Sequence, residues 1–331
     1  MRRIFLIIIA ATFFLAIGLL LLARGSTPER IQYGVTFSTL YSEEIGLDWK
    51  EVYRATLDDL GIKRLRIPVY WDRVERTEDA YDWSEIDFQV QEAKKRDANI
   101  ILAIGRRVPR WPECHVPGWA KELSWEEQKP EILEMLRMTV ERYRGESTVS
   151  MWQVENEPYL RYFADGSCGE FDEEFLHEEI ALVHSLDTRP ILQTDGGNFG
   201  TWIGAYRAGE VFGTSMYLYF WRPDTGSFRT VLPPAYYHAK SNLMRLLFGQ
   251  KTIILSELSL EPWLAAHIND VSIDEQKSRM SVEKMREIVA YARQSPFDIQ
   301  YLWGIEWWYW MKKEGHPEFW DLAKELYAGQ I

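Results

Sequence analysis

The sequence predicts an α/β fold consisting of a single (β/α)8 TIM barrel preceded by one N-terminal transmembrane helix. From Tyr33 onward, short apolar or β-branched runs alternate with amphipathic stretches of helical period, and eight such pairs can be counted. The chain has no dinucleotide-binding fingerprint, which favours a closed barrel over a doubly wound sheet. No linker rich in Pro, Gly or Ser divides it. We therefore expect one barrel domain over 31–331, after an anchor at 1–24 and a short linker at 25–30.

The first 24 residues have the composition of a membrane segment. Arg2 and Arg3 precede an uncharged apolar run of twenty residues from Ile4 to Ala23, which at about 1.5 Å per residue would cross a hydrocarbon core of roughly 30 Å. A cleaved signal peptide has a shorter apolar region of about 7–15 residues. We therefore expect an uncleaved anchor, with cleavage and secretion as the alternative. The two arginines favour a cytoplasmic N-terminus, which places the barrel outside the cytoplasm.

The eight predicted strands are short. A helical candidate follows each of them; after the third strand, Ile132, Met135, Leu136 and Val140 fall on one face. In a (β/α)8 barrel the carboxyl ends of the strands form the active-site rim. The predicted strands lie at 33–37, 63–69, 99–104, 149–154, 191–194, 211–217, 252–256 and 299–305.

Composition and charge narrow the class of ligand. The chain carries 50 acidic and 38 basic residues, a net charge of −12, and such a surface repels nucleic acid and acidic polysaccharide. Its 15 Trp, 17 Tyr and 15 Phe exceed what a core needs, and flat aromatic faces can stack on sugars. The six His and two Cys lack metal-ligand spacing. The sequence therefore predicts a neutral oligosaccharide or polysaccharide as partner, with no metal and no cofactor.

Two of the predicted strands end in carboxylates that would lie at the rim. The fourth strand runs into Trp152–Pro158, and the seventh into Ile254–Trp263. Glu157 and Glu257 are three βα units apart, so they face each other across the mouth of an eight-fold ring. Glycoside hydrolysis requires such a pair, because one carboxyl protonates the leaving oxygen while the other attacks the anomeric carbon or activates water.

These residues resemble a known group of enzymes. The run Asn156-Glu157-Pro158, with Glu257 and the stretch RIPVYW that begins at Arg66, resembles clan A of the glycoside hydrolases, and families five and forty-two in particular. The resemblance implies a retaining (β/α)8 enzyme with Glu157 as acid/base and Glu257 as nucleophile. It also implies that Asn156 contacts the sugar 2-hydroxyl and that Arg66 is the arginine of the second strand.

The same resemblance assigns several aromatic residues. It implies that Tyr217 donates its hydroxyl to the nucleophile, with Tyr219 as the competing choice. For the Trp of the eighth strand that forms the floor of the subsite, we expect Trp307 rather than Trp308. Two further rim tryptophans, Trp71 and Trp263, are expected to stack on sugars.

For other polar residues near the rim, the sequence supports less specific predictions. Family-five enzymes carry His near strands three and six, whereas here Ser215 stands near the sixth strand, and His115 is expected at the surface. Three additional carboxylates, Glu155, Glu261 and Glu306, are expected to bind hydroxyls or form ion pairs.

The two cysteines lie after neighbouring strands. Cys114 follows the third predicted strand and Cys168 the fourth, so both belong to the same rim. Because an oxidising exterior favours pairing of thiols, we expect a disulfide between them.

Together these features predict a membrane-anchored extracytoplasmic glycosidase that hydrolyses O-glycosyl bonds of a neutral glycan by retaining double displacement. A transglycosylase on the same scaffold remains an alternative, as does an envelope-tethered carbohydrate-binding pseudoenzyme. The second alternative does not require both Glu157 and Glu257, because binding alone needs neither.

Overall fold

The computed structural model describes residues 18, 21–160, 166–222, 224–264 and 266–331. Eight of its strands are parallel and close into a barrel in the order β1-β10-β9-β6-β5-β4-β3-β2, while β7 and β8 form a separate antiparallel hairpin. The strands are β1 Gln32–Thr36, β2 Arg64–Pro68, β3 Asn99–Ile104, β4 Val149–Val154, β5 Ile191–Asp195, β6 Val211–Met216, β7 Tyr219–Arg222, β8 Gly226–Arg229, β9 Thr252–Ser259 and β10 Ile299–Trp303.

Helices connect successive barrel strands and cover the outside of the barrel. They include α1 Thr39–Glu44, α2 Trp49–Asp58, α3 Trp71–Val74, α4 Ser84–Lys94, α5 Trp125–Tyr143, α6 Glu173–Leu186, α7 Ile203–Ala208, α8 Pro234–Phe248, α9 Ile273–Arg279, α10 Val282–Ala292, α11 Ile305–Lys313 and α12 Glu318–Tyr327. The predicted (β/α)8 barrel is therefore confirmed.

Helix α5 illustrates how the sequence forms these elements. Ser124 precedes its first turn and forms a capping box with Glu127, whose Oε2 accepts a 2.9 Å hydrogen bond from the Ser124 backbone N–H. Ile132 and Leu136, which share the predicted apolar face, are completely buried. Helix propensity, capping and burial therefore agree along this segment.

The interior of the barrel becomes polar toward the carboxyl ends of the strands. The buried polar residues there include Arg66, Gln153, Thr194 and Ser256, from four different strands. Because buried polar groups must find hydrogen-bond partners, this layer forms a connected network that can hold charged side chains at the mouth.

Several strand bounds differ from the predicted ones by one residue at one or both ends, and three differences are larger or affect the site. The β7–β8 hairpin was not predicted. Strand β9 continues to Ser259, beyond the expected end at 256, so Glu257 lies within the strand. Strand β10 ends at Trp303 and α11 begins at Ile305, so the last two residues of the expected 299–305 strand lie outside it.

The predicted transmembrane helix falls mostly outside the described part of the chain. Of the run from Ile4 to Ala23, only residues 18 and 21–23 are described. Within the described ranges, no helix is long and apolar enough to cross a membrane.

Candidate active site

Glu257 is held at the mouth of the barrel by two side chains. Its Oε1 accepts a 2.8 Å hydrogen bond from Nη1 of Arg66 on β2, and its Oε2 accepts a 3.1 Å bond from the Tyr217 hydroxyl just after β6. Glu257 is only 4% exposed. Each carboxylate oxygen therefore has a donor, and together the two donors fix the orientation of the carboxylate.

Arg66 links the two strands that carry the predicted catalytic glutamates. Its Nη2 donates a 2.6 Å bond to Oδ1 of Asn156, and its Nε donates a 2.7 Å bond to Oε1 of Gln153 on β4. The side chain is completely buried. Because the planar guanidinium presents its donors in a fixed fork, the position of Asn156 depends on the same side chain that orients Glu257.

The environment of Glu157 differs from that of Glu257, because no cation among the described residues holds its carboxyl group. It follows β4 with a φ of 43°, and its backbone N–H donates a 2.9 Å bond to Oγ1 of Thr194. Its carboxyl group is buried, accepts a hydrogen bond from Ser215, and has one oxygen, Oε1, with no hydrogen-bond partner. Burial, followed by the charges of Glu257 and Glu113, raises the pKa of Glu157 well above its usual range. The protonated form of this carboxyl group is therefore favoured over the form that an exposed glutamate would adopt.

Glu113 is a third carboxylate at the site, and the sequence reasoning missed it. Its Oε2 accepts a 2.8 Å bond from Nε of Arg107, and its Oε1 accepts a 3.4 Å bond from Nδ2 of Asn156. The pKa of Glu113 is raised to about 6, because burial and the charge of Glu257 outweigh the opposing effects of Arg107 and Asn156. Its position directly before Cys114 was the signal available in the sequence.

A disulfide fixes the loop that contains Glu113. Cys114 and Cys168 are joined with their Cα atoms 5.3 Å apart, so the predicted pairing is confirmed. The loop after β3 is therefore tied to the loop after β4, which directly follows Glu157. In addition, Nη2 of Arg106 donates a hydrogen bond of 2.6 Å to the carbonyl oxygen of Cys168.

Comparison with known proteins agrees with this geometry. The family model of cellulases, glycosyl hydrolase family 5, matches residues 32–165, which include Arg66, Asn156 and Glu157. No curated protein matches the chain significantly in sequence.

Solved structures of glycosidases share the fold at low sequence identity. A variant of GH5_18 from Bifidobacterium longum in complex with Manβ1-4GlcNAc is 10% identical, with a TM-score of 0.58 over 83% of this chain and 69% of that one. Xylanase 10B from Thermotoga maritima is 14% identical, with a TM-score of 0.53 over 83% and 82%. The beta-galactosidase from the psychrophilic Marinomonas ef1 is 13% identical, with a TM-score of 0.55 over 82% of this chain and 54% of that one. The chain thus spans about half the length of this beta-galactosidase.

The resemblance to clan A glycoside hydrolases is confirmed. The family match over residues 32–165 supports a glycoside hydrolase domain, and the solved structures share its barrel fold.

Two of the predicted sugar-stacking tryptophans lie away from the mouth of the barrel. Trp71 and Trp307 are completely buried. The indole N–H of Trp71 donates a 2.7 Å bond to Glu75, and that of Trp307 donates a 2.8 Å bond to Gln276. Because neither ring has an exposed face, both belong to the core, and the expectation that they stack on a sugar is corrected. Trp308, the second choice, is also completely buried.

The tryptophan at the end of the eighth barrel strand is Trp303. It pairs in register with Ser259, two residues beyond Glu257 on β9, so its side chain points to the same face of the sheet as that of Glu257. Its indole N–H donates a 2.6 Å bond to Oε1 of Glu261. Trp303, and not Trp307, is therefore the tryptophan that the eighth barrel strand places at the mouth.

Of the remaining aromatic residues predicted to lie at the site, some contact it and others do not. Trp263 contacts Tyr217 edge to face, with ring centroids 5.6 Å apart, and so lies beside the nucleophile position. Tyr219 donates its hydroxyl to Glu287. The choice between the two tyrosines therefore favours Tyr217.

The other polar residues near the rim form internal contacts. Oε1 of Glu155 accepts hydrogen bonds from the backbone N–H groups of Arg106 and Arg107. Glu261 and Glu306 form ion pairs with Arg110. His115 was expected at the surface but is only 3% exposed, because its ring packs against Tyr70 with the centroids 4.5 Å apart.

The described residues contain no group of three or more His, Cys, Asp or Glu side chains that could hold a metal ion. The side chains placed at the site by the contacts above are the carboxyls of Glu113, Glu157 and Glu257, the Arg66 guanidinium, the Tyr217 phenol and the Asn156 amide.

Proposed function

We propose that the protein is a retaining glycoside hydrolase acting on a neutral glycan, with Glu257 as nucleophile and Glu157 as acid/base. The observation that carries this proposal is the contrast between the two glutamates. Glu257 has a charged donor on one oxygen and a phenol on the other, whereas burial and nearby carboxylates raise the pKa of Glu157. Such a difference in environment gives similar groups opposite roles.

In the first step, a carboxylate oxygen of Glu257 attacks the anomeric carbon, and the bond from that carbon to the leaving oxygen breaks. The proton of Glu157 passes to the leaving oxygen. In the second step, Glu157, now ionised, takes a proton from a water molecule, whose oxygen attacks the anomeric carbon and releases Glu257. We expect the two carboxyl groups to lie about 5–5.5 Å apart, as this mechanism requires.

The Arg66 network supports the same roles. Loss of the proton from Glu157 leaves three carboxylates near one another, and Arg66 and Arg107 are the cations that contact two of them. Asn156, held by Arg66, points its amide nitrogen toward Glu113 with a long 3.4 Å bond. That weakly bound N–H is available to a sugar hydroxyl.

Turnover of aryl β-glycosides tests this proposal. The wild type is expected to release the aryl alcohol from at least one activated glycoside, Glu257→Ala to release none, and Glu157→Ala to accumulate a glycosyl-enzyme. Azide should rescue each variant, giving an α-glycosyl azide from Glu257→Ala and a β-glycosyl azide from Glu157→Ala. Absence of rescue in both folded variants, on a substrate that the wild type cleaves, would contradict the assigned roles.

We also propose that the domain is held at a membrane by the run from Ile4 to Ala23. The described end of this run lies on α8, where Nδ2 of Asn242 donates a 2.8 Å bond to the carbonyl oxygen of Leu22. Nearby, α8 exposes apolar side chains, including Leu246 at 73%, and the sequence has no acidic residue between Asp224 and Glu257. Apolar and basic surface of this kind suits a lipid interface.

Fractionation of cells that express the full chain tests the tether. The protein is expected to stay in the membrane pellet after extraction with alkaline carbonate and to become soluble when residues 1–24 are deleted. A soluble mature protein whose N-terminus lies after Ala23 would instead support the cleaved form.

A further inference from the structure

The loop after β3 brings Arg110 into the mouth of the barrel. Its guanidinium carbon lies 3.8 Å from the ring centroid of Tyr41 and 4.4 Å from that of Trp303. The guanidinium is thus stacked between one ring that follows β1 and another at the end of β10. It occupies the face of Trp303 on which a sugar ring would otherwise stack.

Arg110 is also fixed by two carboxylates. Its Nη1 and Nη2 donate to the two carboxylate oxygens of Glu261, and its Nη2 donates a 2.8 Å bond to Oε2 of Glu306. The residue is only 9% exposed. Moving the guanidinium away would leave the buried carboxylates without a compensating charge. It is therefore a fixed part of the wall of the site.

The surrounding backbone allows these close contacts. Gly304 has a φ of 120°, and a Cβ atom there would lie 2.8 Å from Cβ of Glu261. Only glycine lets the end of β10 approach Glu261 in this way. On the other side, Arg110 has a φ of 94°, and the disulfide at Cys114 anchors its loop.

The position of Arg110 in the ring of strands shows which part of the site it closes. In the closed barrel, β10 lies four strands from β4 in either direction, so Trp303 stands opposite Glu157. The leaving group departs on the side of Glu157, because that carboxyl protonates it. The non-reducing end of the sugar bound next to Glu257, which lies opposite the leaving group, is therefore directed toward β10 and β1. Arg110 lies at this end.

We propose that Arg110 closes the glycone side of the site, so that the enzyme removes single sugars from the non-reducing end of its glycan. This inference rests on the proposed function and adds its mode of action. An internal stretch of a polysaccharide would need to pass between Tyr41 and Trp303, and the guanidinium fills that gap.

Product analysis with aryl glycosides tests the inference. The substrates are the 4-nitrophenyl β-glycosides of glucose, mannose, galactose and xylose, together with the matching β-1,4-linked disaccharides. From a disaccharide, the wild type is expected to release one free sugar and the nitrophenyl monoglycoside first. Direct release of nitrophenol with the intact disaccharide, as the first products of the wild type, would overturn the inference while leaving hydrolysis itself established.

A variant gives the second measurement. Arg110→Ala is expected to raise direct nitrophenol release from the disaccharides, relative to the monoglycosides, by about tenfold or more. Arg142→Ala is the matched control, because Arg142 forms an ion pair with Asp87 on the outside of the barrel, and its products should equal those of the wild type. An unchanged ratio in folded Arg110→Ala would also overturn the inference. Failure of the wild type to cleave any of these substrates, together with absence of a covalent adduct from the corresponding 2-deoxy-2-fluoro glycosides, would instead overturn the proposed function.

Discussion

Nη1 of Arg66 lies 2.8 Å from Oε1 of Glu257, and the two side chains are 0% and 6% exposed. In so dry an environment, the attraction between the charges is screened much less than at the surface. The carboxylate is also the group that we propose as nucleophile, and it must be ionised to attack. The ion pair therefore joins the buried polar residues of the barrel to the carboxylate that we propose as nucleophile at its mouth.

Replacement of Arg66 by Met should lower kcat/KM by about a hundredfold. The carboxylate of Glu257 loses the donor that fixes the position of its Oε1, and Asn156 loses the donor to its Oδ1. The variant should also lose about 3–5 kcal/mol of stability, because one member of a buried pair is removed. Steady-state kinetics measure the first effect, and chemical denaturation measures the second.

Two companion variants make the result of that change specific. Arg66→Lys keeps a positive charge and one donor, and should lower kcat/KM less than Arg66→Met does. Arg64→Met, two residues earlier on β2, removes an arginine that donates to Gln32 and should leave kcat/KM unchanged. An unchanged kcat/KM in folded Arg66→Met would remove Arg66 from its proposed role at the site.

Neutralising Glu113 should move the basic limb of the pH–rate profile to lower pH. The charge of Glu113 is one of the causes that raise the pKa of Glu157. In Glu113→Gln that contribution disappears, so the pKa of Glu157 falls and the general acid loses its proton at lower pH. Initial rates of the wild type and the variant across pH measure the position of this limb.

The control for this change is Glu122→Gln, which neutralises an exposed acid and should leave both limbs unchanged. A basic limb that stays in place, or rises, in folded Glu113→Gln would show that Glu113 does not act on the general acid.

Trp303 and Trp307 should respond differently to replacement by Ala. Loss of Trp303 removes a half-buried ring from the mouth, and with it the ring face and the indole N–H that position Arg110 and Glu261. The catalytic efficiency kcat/KM should therefore fall by about tenfold or more, while the melting temperature changes less than in Trp307→Ala. Loss of Trp307 leaves a cavity in the core and should cost about 3–5 kcal/mol of stability. Steady-state kinetics and thermal unfolding of both variants make this comparison. Equal loss of stability in the two, with equal kinetics, would contradict the placement of Trp303 in the site.

The sequence was sufficient for those parts of the molecule that follow from periodicity. Strands β3 and β4 have the predicted bounds, because their apolar runs are short and are flanked by polar residues. The same regularity placed Glu157 and Glu257 on the fourth and seventh barrel strands, and hence across the mouth from each other.

The parts that were missed depend on tertiary contacts or on irregular backbone. The apolar run at β10 continues into α11 with only Gly304 between them, so hydropathy does not show where the strand ends. For this reason Trp307, and not Trp303, was predicted to lie at the end of the strand. Glu113 and Arg110 reach the site through a loop in which both have positive φ values, 67° and 94°. Such conformations persist only when surrounding structure holds them, and no sequence period encodes them.

The stereochemistry of the first product tests the central claim most directly. Hydrolysis of a 4-nitrophenyl β-glycoside by the wild type, followed by proton NMR before mutarotation, reports the configuration at the anomeric carbon. Attack by Glu257 followed by attack by water inverts that carbon twice, so we predict that the β-anomer appears first and the α-anomer accumulates later. Initial appearance of the α-anomer would show a single displacement by water and would contradict Glu257 as nucleophile.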